Sequence, residues 1–281
     1  MPSIKNGSST IISRPRGQGF WARLPLWLLA VILLSVLFAW LIAADANYQI
    51  IFWALIKGVG TTLYVTAIAF TGAVLLGLLI AVASGAERRW VREVAIFYVE
   101  IMRGIPVLVL LFYIAFVGAP QLIALYNWLF AWLISAGFLP SLVARDFDMT
   151  WRAILALTLS YSAFISEIFR AGIEAVPRGQ KEAAAALGLN QRQAFFDVIL
   201  PQAVRTILPP LGNDFVAMIK DSALVSALGV QDITQLGKVY SASTFRFFET
   251  YNVVAFLYLT LTVSLSLAVR GLERWLQREK R

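Results

Sequence analysis

Neither cysteine nor histidine occurs in the 281 residues. Without cysteine there is no disulfide framework and no thiol chemistry. Without histidine as well, the chain lacks the two ligand types that dominate transition-metal sites, so no metal site is expected. Charge is also scarce: 14% of residues are Asp, Glu, Lys or Arg, against 59% hydrophobic. Soluble domains run nearer about 45–50% apolar. With a mean hydropathy of +0.75, the chain reads as a multi-span integral membrane protein. A Walker A run is missing too, because Gly237-Lys238 has no Gly-x-x-x-x spacing before it. Any energy from nucleotide hydrolysis must therefore come from outside the chain. No catalytic residue and no cofactor are expected within it.

What charge there is sets topology. The net charge of +8 is not a nucleic-acid signal, because the basic residues fall in short blocks between apolar runs. Residues 1–23 are polar, with Lys5, Arg14, Arg16 and Arg23, and read as a disordered cytoplasmic tail. They are not a cleavable signal peptide: the next apolar run is long enough to span, and no clear small-residue cleavage site comes after it. A transmembrane domain over 24–270 is expected, beginning with a span at 24–44. A short outer loop with Asp45 and Asn47 leads to a second span at 58–83, where Gly72, Gly77 and Ala81 suit close helix packing. Arg88, Arg89 and Arg92 mark the return to the inside, and a third span is expected over 97–117.

The stretch 122–138 is apolar but short for a span. Counting it as spanning inverts the charge pattern of the rest of the chain. It therefore reads as part of an outer-face insertion over 118–150, either interfacial or re-entrant. Further spans are expected at 151–170, 204–224 and 251–269. A basic cytoplasmic tail over 271–281 comes last, with Arg274, Arg278, Lys280 and Arg281. The fold class expected is an all-α integral membrane protein with six transmembrane helices and both termini cytoplasmic.

One polar interruption organises this pattern: residues 176–201, VPRGQKEAAAALGLNQRQAFFDVILP. Pro177 suits a first helical turn. Lys181 to Leu187 are mostly strong helix formers, and Gly188 is placed to end the helix in the left-handed conformation. Asn190 and Gln193 have capping-box spacing for a second helix, and Pro201 marks the turn into the next span. Small side chains from Ala183 to Ala186 leave a surface that another protein can approach closely. On chemistry alone, an amphipathic surface loop fits equally well.

Ionisable residues at membrane depth are functional candidates by default. The helix expected at 204–224 holds Asn213, Asp214, Lys220, Asp221 and Ser222. Asn213-Asp214 lies roughly 12 Å along the helix from Arg205, at mid-bilayer, and Lys220-Asp221 roughly 22 Å along. A zwitterionic solute needs a donor for its carboxylate and an acceptor for its ammonium, and this helix offers both. Packing-satisfied polar residues, with Lys220 snorkelling outward, are the other reading. Ser160, Tyr161 and Ser162 suit hydrogen bonding to substrate or to a neighbouring helix. Glu167 and Arg170 read as a structural i,i+3 pair, as do Glu100 and Arg103, with Pro106 bending the helix above them. Lys57, Arg145, Arg152 and Lys220 toward the outer face suggest tolerance of acidic solutes, unless they pair with Asp146, Asp148 and Asp221.

Several stretches resemble a known family. Glu182-Ala183-Ala184, then Gly188, then Ile199-Leu200-Pro201 resembles the EAA signature of ABC-importer permeases, with Val198 where that pattern has Ile. Glu100-x-x-Arg103-Gly104-x-Pro106, Ser166 through Ile173, Pro177-x-Gly179-Gln180, Gly212 through Phe215 and Lys220-Asp221-Ser222 are similar to the polar amino acid branch. Together they cover about residues 56–270. Members of that branch commonly have five core spans, so the insertion near 117–150 is a departure.

The resemblance implies a type I-like importer. In it the 176–201 loop forms the coupling helix, and Arg178, Gly179, Gln180, Lys181, Glu182, Ala183, Ala184 and Gly188 meet an ATPase groove. It implies two ATPase subunits that bind the ATP, a second permease (a copy or a homologue) and a periplasmic or tethered solute-binding protein. It further implies an amino acid substrate and a bacterial inner-membrane location, with lipid around the chain and no nucleic acid. An opine, a sulfonate or another small polar solute is the narrower alternative. Ion-coupled secondary transport predicts internal repeats and helices broken at mid-membrane; no convincing repeat is present, and that reading leaves the EAA loop unexplained. A non-transporting scaffold leaves Asp214 and Lys220 without a role.

Overall fold

The computed structural model describes residues 26–278, so the 1–23 tail and the last three residues lie outside it. Among the described residues all regular structure is helical. The chain runs α1 (Leu26–Ala44), α2 (Ala46–Leu55), α3 (Lys57–Ser84) and α4 (Arg89–Gly104). After a break come α5 (Val107–Tyr113), a π-helical turn (Ile114–Gly118), α6 (Ala119–Leu129) and α7 (Ala131–Ser135). Next are α8 (Met149–Glu174), α9 (Arg178–Ala186), α10 (Gln191–Gln193) and a second π-helical turn (Ala194–Ile199). The last part is α11 (Leu200–Asp221), a 3-10 segment (Ser222–Leu228), α12 (Ile233–Thr244) and α13 (Phe247–Arg278).

Among the described residues, four stretches are long and apolar enough to cross a membrane: Ala46–Ser84, Val107–Leu129, Met149–Glu174 and Phe247–Arg274. Leu29–Ala44 in α1 supplies a shorter apolar helix. The stretch expected as the fifth span is helical in α11, but Arg205, Asp214, Lys220 and Asp221 keep it below that level of apolarity.

The structure redraws three sequence boundaries. The expected short outer loop at Asp45 is a helix instead. The Asp45 carboxylate accepts from Asn47 N–H at 2.7 Å, capping α2. Ile51 and Leu55 of α2 then bury against Ile233, Val253 and Leu257. The expected third span at 97–117 is split. Pro106 cannot donate a backbone hydrogen bond, and it forces Ile105 into an extended conformation (φ −97°, ψ 130°). Helix α4 ends there and the apolar helix restarts at Val107, running on to Leu129. The first half of the 122–138 stretch therefore belongs to that helix. Pro201, expected to mark a turn, lies instead in continuous helix. The Leu200 N–H reaches back to Phe195 O, and this wider π-type turn accommodates the proline ring.

The core forms where α3 and α8 run side by side in the same direction. Gly72 faces Thr158, and Gly77 faces Ile165 and the Ser162 carbonyl. Ala69, Ala73, Ala153 and Ala156 are buried along the same seam. Small side chains let the helix backbones approach, which is how helices associate in lipid without a hydrophobic drive. Helix α5 packs onto this pair through Leu110 and Leu111. Helix α4 adds Tyr98, whose hydroxyl donates to Leu159 O at 3.0 Å and lies 2.9 Å from Ser162 Oγ.

Arg152, in the first turn of α8, is 6% exposed. Its guanidinium donates to Phe147 O (2.8 Å), Ala115 O (2.8 Å) and Ala144 O (2.7 Å). The group is thus used by backbone carbonyls, against the expectation that it greets acidic solutes. Arg145 pairs with Asp146 at 4.0 Å. Lys57 and Lys220 are exposed.

At the opposite seam, Gly58 lies against the start of α12. A Cβ there would sit 2.5 Å from Ile233 N and 2.6 Å from the Asp232 carbonyl carbon. Both are backbone atoms that cannot swing aside. Gly60, two residues on, has nothing within 4 Å. Gly58→Ala is expected to cost about 1–3 kcal/mol through overpacking and to lower the melting temperature in detergent. Gly60→Ala is expected to leave it unchanged or raised. Equal melting of the two variants would refute this packing.

Candidate functional site

The polar loop forms as two capped helices. Pro177, with φ −56° and ψ 138°, stands just ahead of α9, so the helix begins at Arg178. It closes with a Schellman arrangement: Leu189 N–H donates to Ala184 O at 3.1 Å and Gly188 N–H to Ala185 O at 3.0 Å. Gly188 takes φ +75°, the left-handed region where a side chain costs on the order of 1 kcal/mol. Asn190 and Gln193 complete the capping box in both directions, at 2.9 and 3.0 Å. Losing such a cap costs about 1 kcal/mol.

Only Ala184 of α9 is buried, where the helix rests on the second π-turn. Arg178, Gly179, Gln180, Lys181, Glu182 and Ala183 all face outward. Leu187, not among the residues expected to meet a partner, is 81% exposed at the helix end. Its signal was a large apolar residue between a run of alanines and a left-handed glycine. Phe196 is also exposed, with the Arg192 guanidinium 5.9 Å from its ring centroid. An open crevice of about 650 Å³ lies beside α9, lined by Pro177, Asp197, Gln202, Arg205 and others.

The loop is fixed to the bundle at both ends. Val176, Ile199, Ala203 and Ile207 form one buried cluster joining the end of α8 to the start of α11. Glu167 and Arg170 pair as expected, at 2.6 Å, and Glu174 joins them at 3.0 Å. The pair becomes a three-residue ladder over the last turns of α8. Such exposed pairs each contribute on the order of a few tenths of a kcal/mol, so their effect is to order the helix end. Glu100 and Arg103 do not pair. The Arg103 guanidinium instead lies 5.7 Å from the centroid of the Phe164 ring, and Glu100 is exposed.

Helix α11 carries the second group of candidates. Thr206, Asn213 and Lys220 recur every seven residues and are all exposed, so they lie along one face. Asp214 is half-buried, and its Oδ2 is buried without a hydrogen-bond partner. Tyr161 and Asp221 are brought together across two helices, the Tyr161 hydroxyl donating to Asp221 Oδ2 at 2.8 Å. Ser222 is committed to its own helix, donating to Ile219 O at 2.7 Å. Ser160 Oγ is buried with no partner, as is the hydroxyl of Thr66 on α3, which carries no sequence signal of its own. Ser162 meets Tyr98 and so serves a neighbouring helix. Among the described residues no cluster of His, Cys, Asp or Glu is fit for a metal ion.

Comparison with known proteins agrees with this geometry. Residues 73–281 match the family described as binding-protein-dependent transport system inner membrane component. The glutamine transport system permease protein GlnP of Escherichia coli is 32% identical over 78% of this chain and 91% of its own length. The arginine transport system permease protein ArtQ of Bacillus subtilis is 31% identical over 79% and 92%. A crystal structure of an amino acid ABC transporter with histidines superposes with a TM-score of 0.67. It is 36% identical and covers 81% of this chain and 95% of that one. An inward-facing MetNI methionine ABC transporter shares the fold at a TM-score of 0.61 and 21% identity, over 80% and 96%. The family match covers more than half of the chain and relatives above 30% identity cover more than two thirds of it, so the chain belongs to the binding-protein-dependent transport system inner membrane component family.

Proposed function

We propose that this chain is the permease subunit of an ATP-driven importer for polar amino acids. The single observation that carries the coupling half is α9: a helix held by one buried alanine, with its remaining surface and Leu187 turned outward. Such a helix offers a small-residue face to a partner, and its two ends are tied to α8 and α11. Movement of the partner is then transmitted to both long helices as rigid-body motion. The partner is a cytoplasmic ATPase that binds the ATP; two of them serve two permeases, the second a copy or a homologue of this chain. A solute-binding protein delivers the cargo on the opposite face. In this reading both termini and α9 lie on the cytoplasmic side of a bacterial inner membrane, as the basic blocks ask.

The pathway runs along α11. A face of Thr206, Asn213 and Lys220 exposed at membrane depth is costly against lipid, and it becomes favourable against a second permease or an aqueous path. Asp214, with one buried and unpartnered carboxylate oxygen, supplies an acceptor for a substrate ammonium. Lys220 supplies a donor for its carboxylate. An amino acid cargo is favoured by the relatives' substrates and by the 36%-identical amino acid transporter.

Two measurements test these assignments. In mild detergent, an ATP-hydrolysing subunit is expected to co-purify with the wild type and to be lost or uncoupled with Glu182→Lys and with Gly188→Asp. Undiminished, coupled ATPase in both variants contradicts the docking assignment. Asp214→Asn is expected to lower amino acid uptake at least tenfold while ATPase association is kept. Wild-type uptake by that variant removes Asp214 from the pathway.

A further inference from the structure

From Gly104 to Ala144 the chain carries no charged side chain, although part of this stretch lies beyond the packed bundle. The Ala115 carbonyl accepts from Arg152 in the first turn of α8, which fixes the level at which the chain leaves the core. Beyond that level the chain forms a hairpin: α6, α7, and a return segment that crosses back to α8. Asn127 locks it, with its amide donating to Leu142 O at 2.8 Å and its carbonyl oxygen accepting from Leu142 N–H at 2.9 Å. Phe138 N–H donates to Leu133 O at 2.9 Å inside the tip. Several backbone groups of the irregular segment are thus paired internally.

The outer surface of the hairpin is apolar. On α6, Leu122, Leu125 and Trp128 are exposed at a spacing of three, which keeps them on one face. Trp128 is 75%, Trp132 68% and Phe138 76% exposed. This face continues the exposed face of the earlier part of the same apolar stretch, where Val109, Phe112 and Phe116 are bare. Charge returns at Arg145, Asp146 and Asp148, where the chain rejoins α8. A docking surface for a soluble protein carries a polar rim around its apolar centre; this hairpin has aromatics and no charge. Tryptophan and tyrosine gather where bilayer meets water. Paired backbone under apolar side chains is what contact with lipid requires.

We propose that the α6–α7 hairpin is a lipid-docking element that lies in the interface of the leaflet at the α8 N-terminal end, with Leu125, Trp128, Trp132 and Phe138 inserted among lipid chains. Helix α6 continues the apolar stretch that starts at Val107, so Trp128, α7 and the return segment stand at the end of that stretch, where the chain reaches the membrane surface. Held by the Arg152 carbonyl contacts, the hairpin fixes the position of α5 and α8 relative to the bilayer surface.

The absence of cysteine makes the test clean. Single-cysteine variants Trp128→Cys, Phe138→Cys and Leu125→Cys are spin-labelled in the assembled importer, in nanodiscs of phosphatidylethanolamine and phosphatidylglycerol. Collision with oxygen, which partitions into lipid, is compared with collision with a water-soluble nickel chelate. Val109→Cys provides the lipid reference and Arg89→Cys the water reference. The oxygen-to-nickel ratio at the hairpin is expected to exceed the Arg89 value several-fold and to approach the Val109 value. Leu125→Cys keeps both tryptophans, so it gives the reading if a tryptophan variant fails to assemble. Three results overturn the proposal: ratios equal to the water reference; labels shielded from both reagents at all times, as under a second protein chain; or labels exposed to nickel and shielded only when a solute-binding protein is added.

Discussion

The close approach of α3 and α8 is the constraint on which the rest of this structure depends. Lipid tails are as apolar as leucine, so burying large side chains gives little net drive for helices to associate within a membrane. Small residues that bring backbones together provide the attraction instead. Gly72, Ala73, Gly77, Ala153 and Ala156 allow that approach. Once α8 is fixed, α5 packs on one flank through Leu111, and α11 is drawn in through the Tyr161–Asp221 hydrogen bond and the Val176–Ile207 cluster. The exposed α9 helix sits between two elements that belong to this core. A force applied at α9 is therefore delivered to helices and not dissipated in a loose loop.

Two kinds of polar group stand out along the chain. Buried polar groups with full partners hold the frame: Arg152 on three carbonyls, and Asp232, which caps α12 and accepts from Tyr258. Polar groups left exposed or unpartnered lie on α11 and on the faces of α3 and α8, at Asn213, Lys220, Asp214, Thr66 and Ser160. In a membrane the second set is unfavourable unless a partner or a solute meets it. That contrast is what motivates placing the proposed path along α11.

The loop was legible in the sequence because its signals are local. A capping box, a left-handed glycine and a run of alanines each act within a few residues, and the Schellman end and the Asn190 cap formed where those signals stood. The third span was legible only in part: Pro106 signalled a bend, but not that the apolar helix restarts there and runs on to Leu129. An uncharged run from Gly104 to Ala144 contains no boundary that hydropathy can register, and the break fell at Pro106, which removes a backbone donor. Helix α2 was missed because a ten-residue apolar stretch beside Asp45 reads as a loop or as the end of a span. Pairings across long sequence separation were also invisible. The i,i+3 spacing of Glu100 and Arg103 suggested a pair, yet the fold brought Phe164 under Arg103. Tyr161 and Asp221, 60 residues apart, gave no local sign of meeting.

The central claim is that this chain moves solute on energy delivered through α9 by an external ATPase. The most direct measurement is uptake into proteoliposomes that hold the whole importer and its solute-binding protein, with ATP supplied either to the ATPase-bearing face or to the opposite one, and with ionophores present. Coupling through α9 predicts accumulation of a polar amino acid that requires ATP on the ATPase-bearing face and continues when proton and sodium gradients are collapsed. Uptake that proceeds without ATP and stops with the ionophores would contradict it.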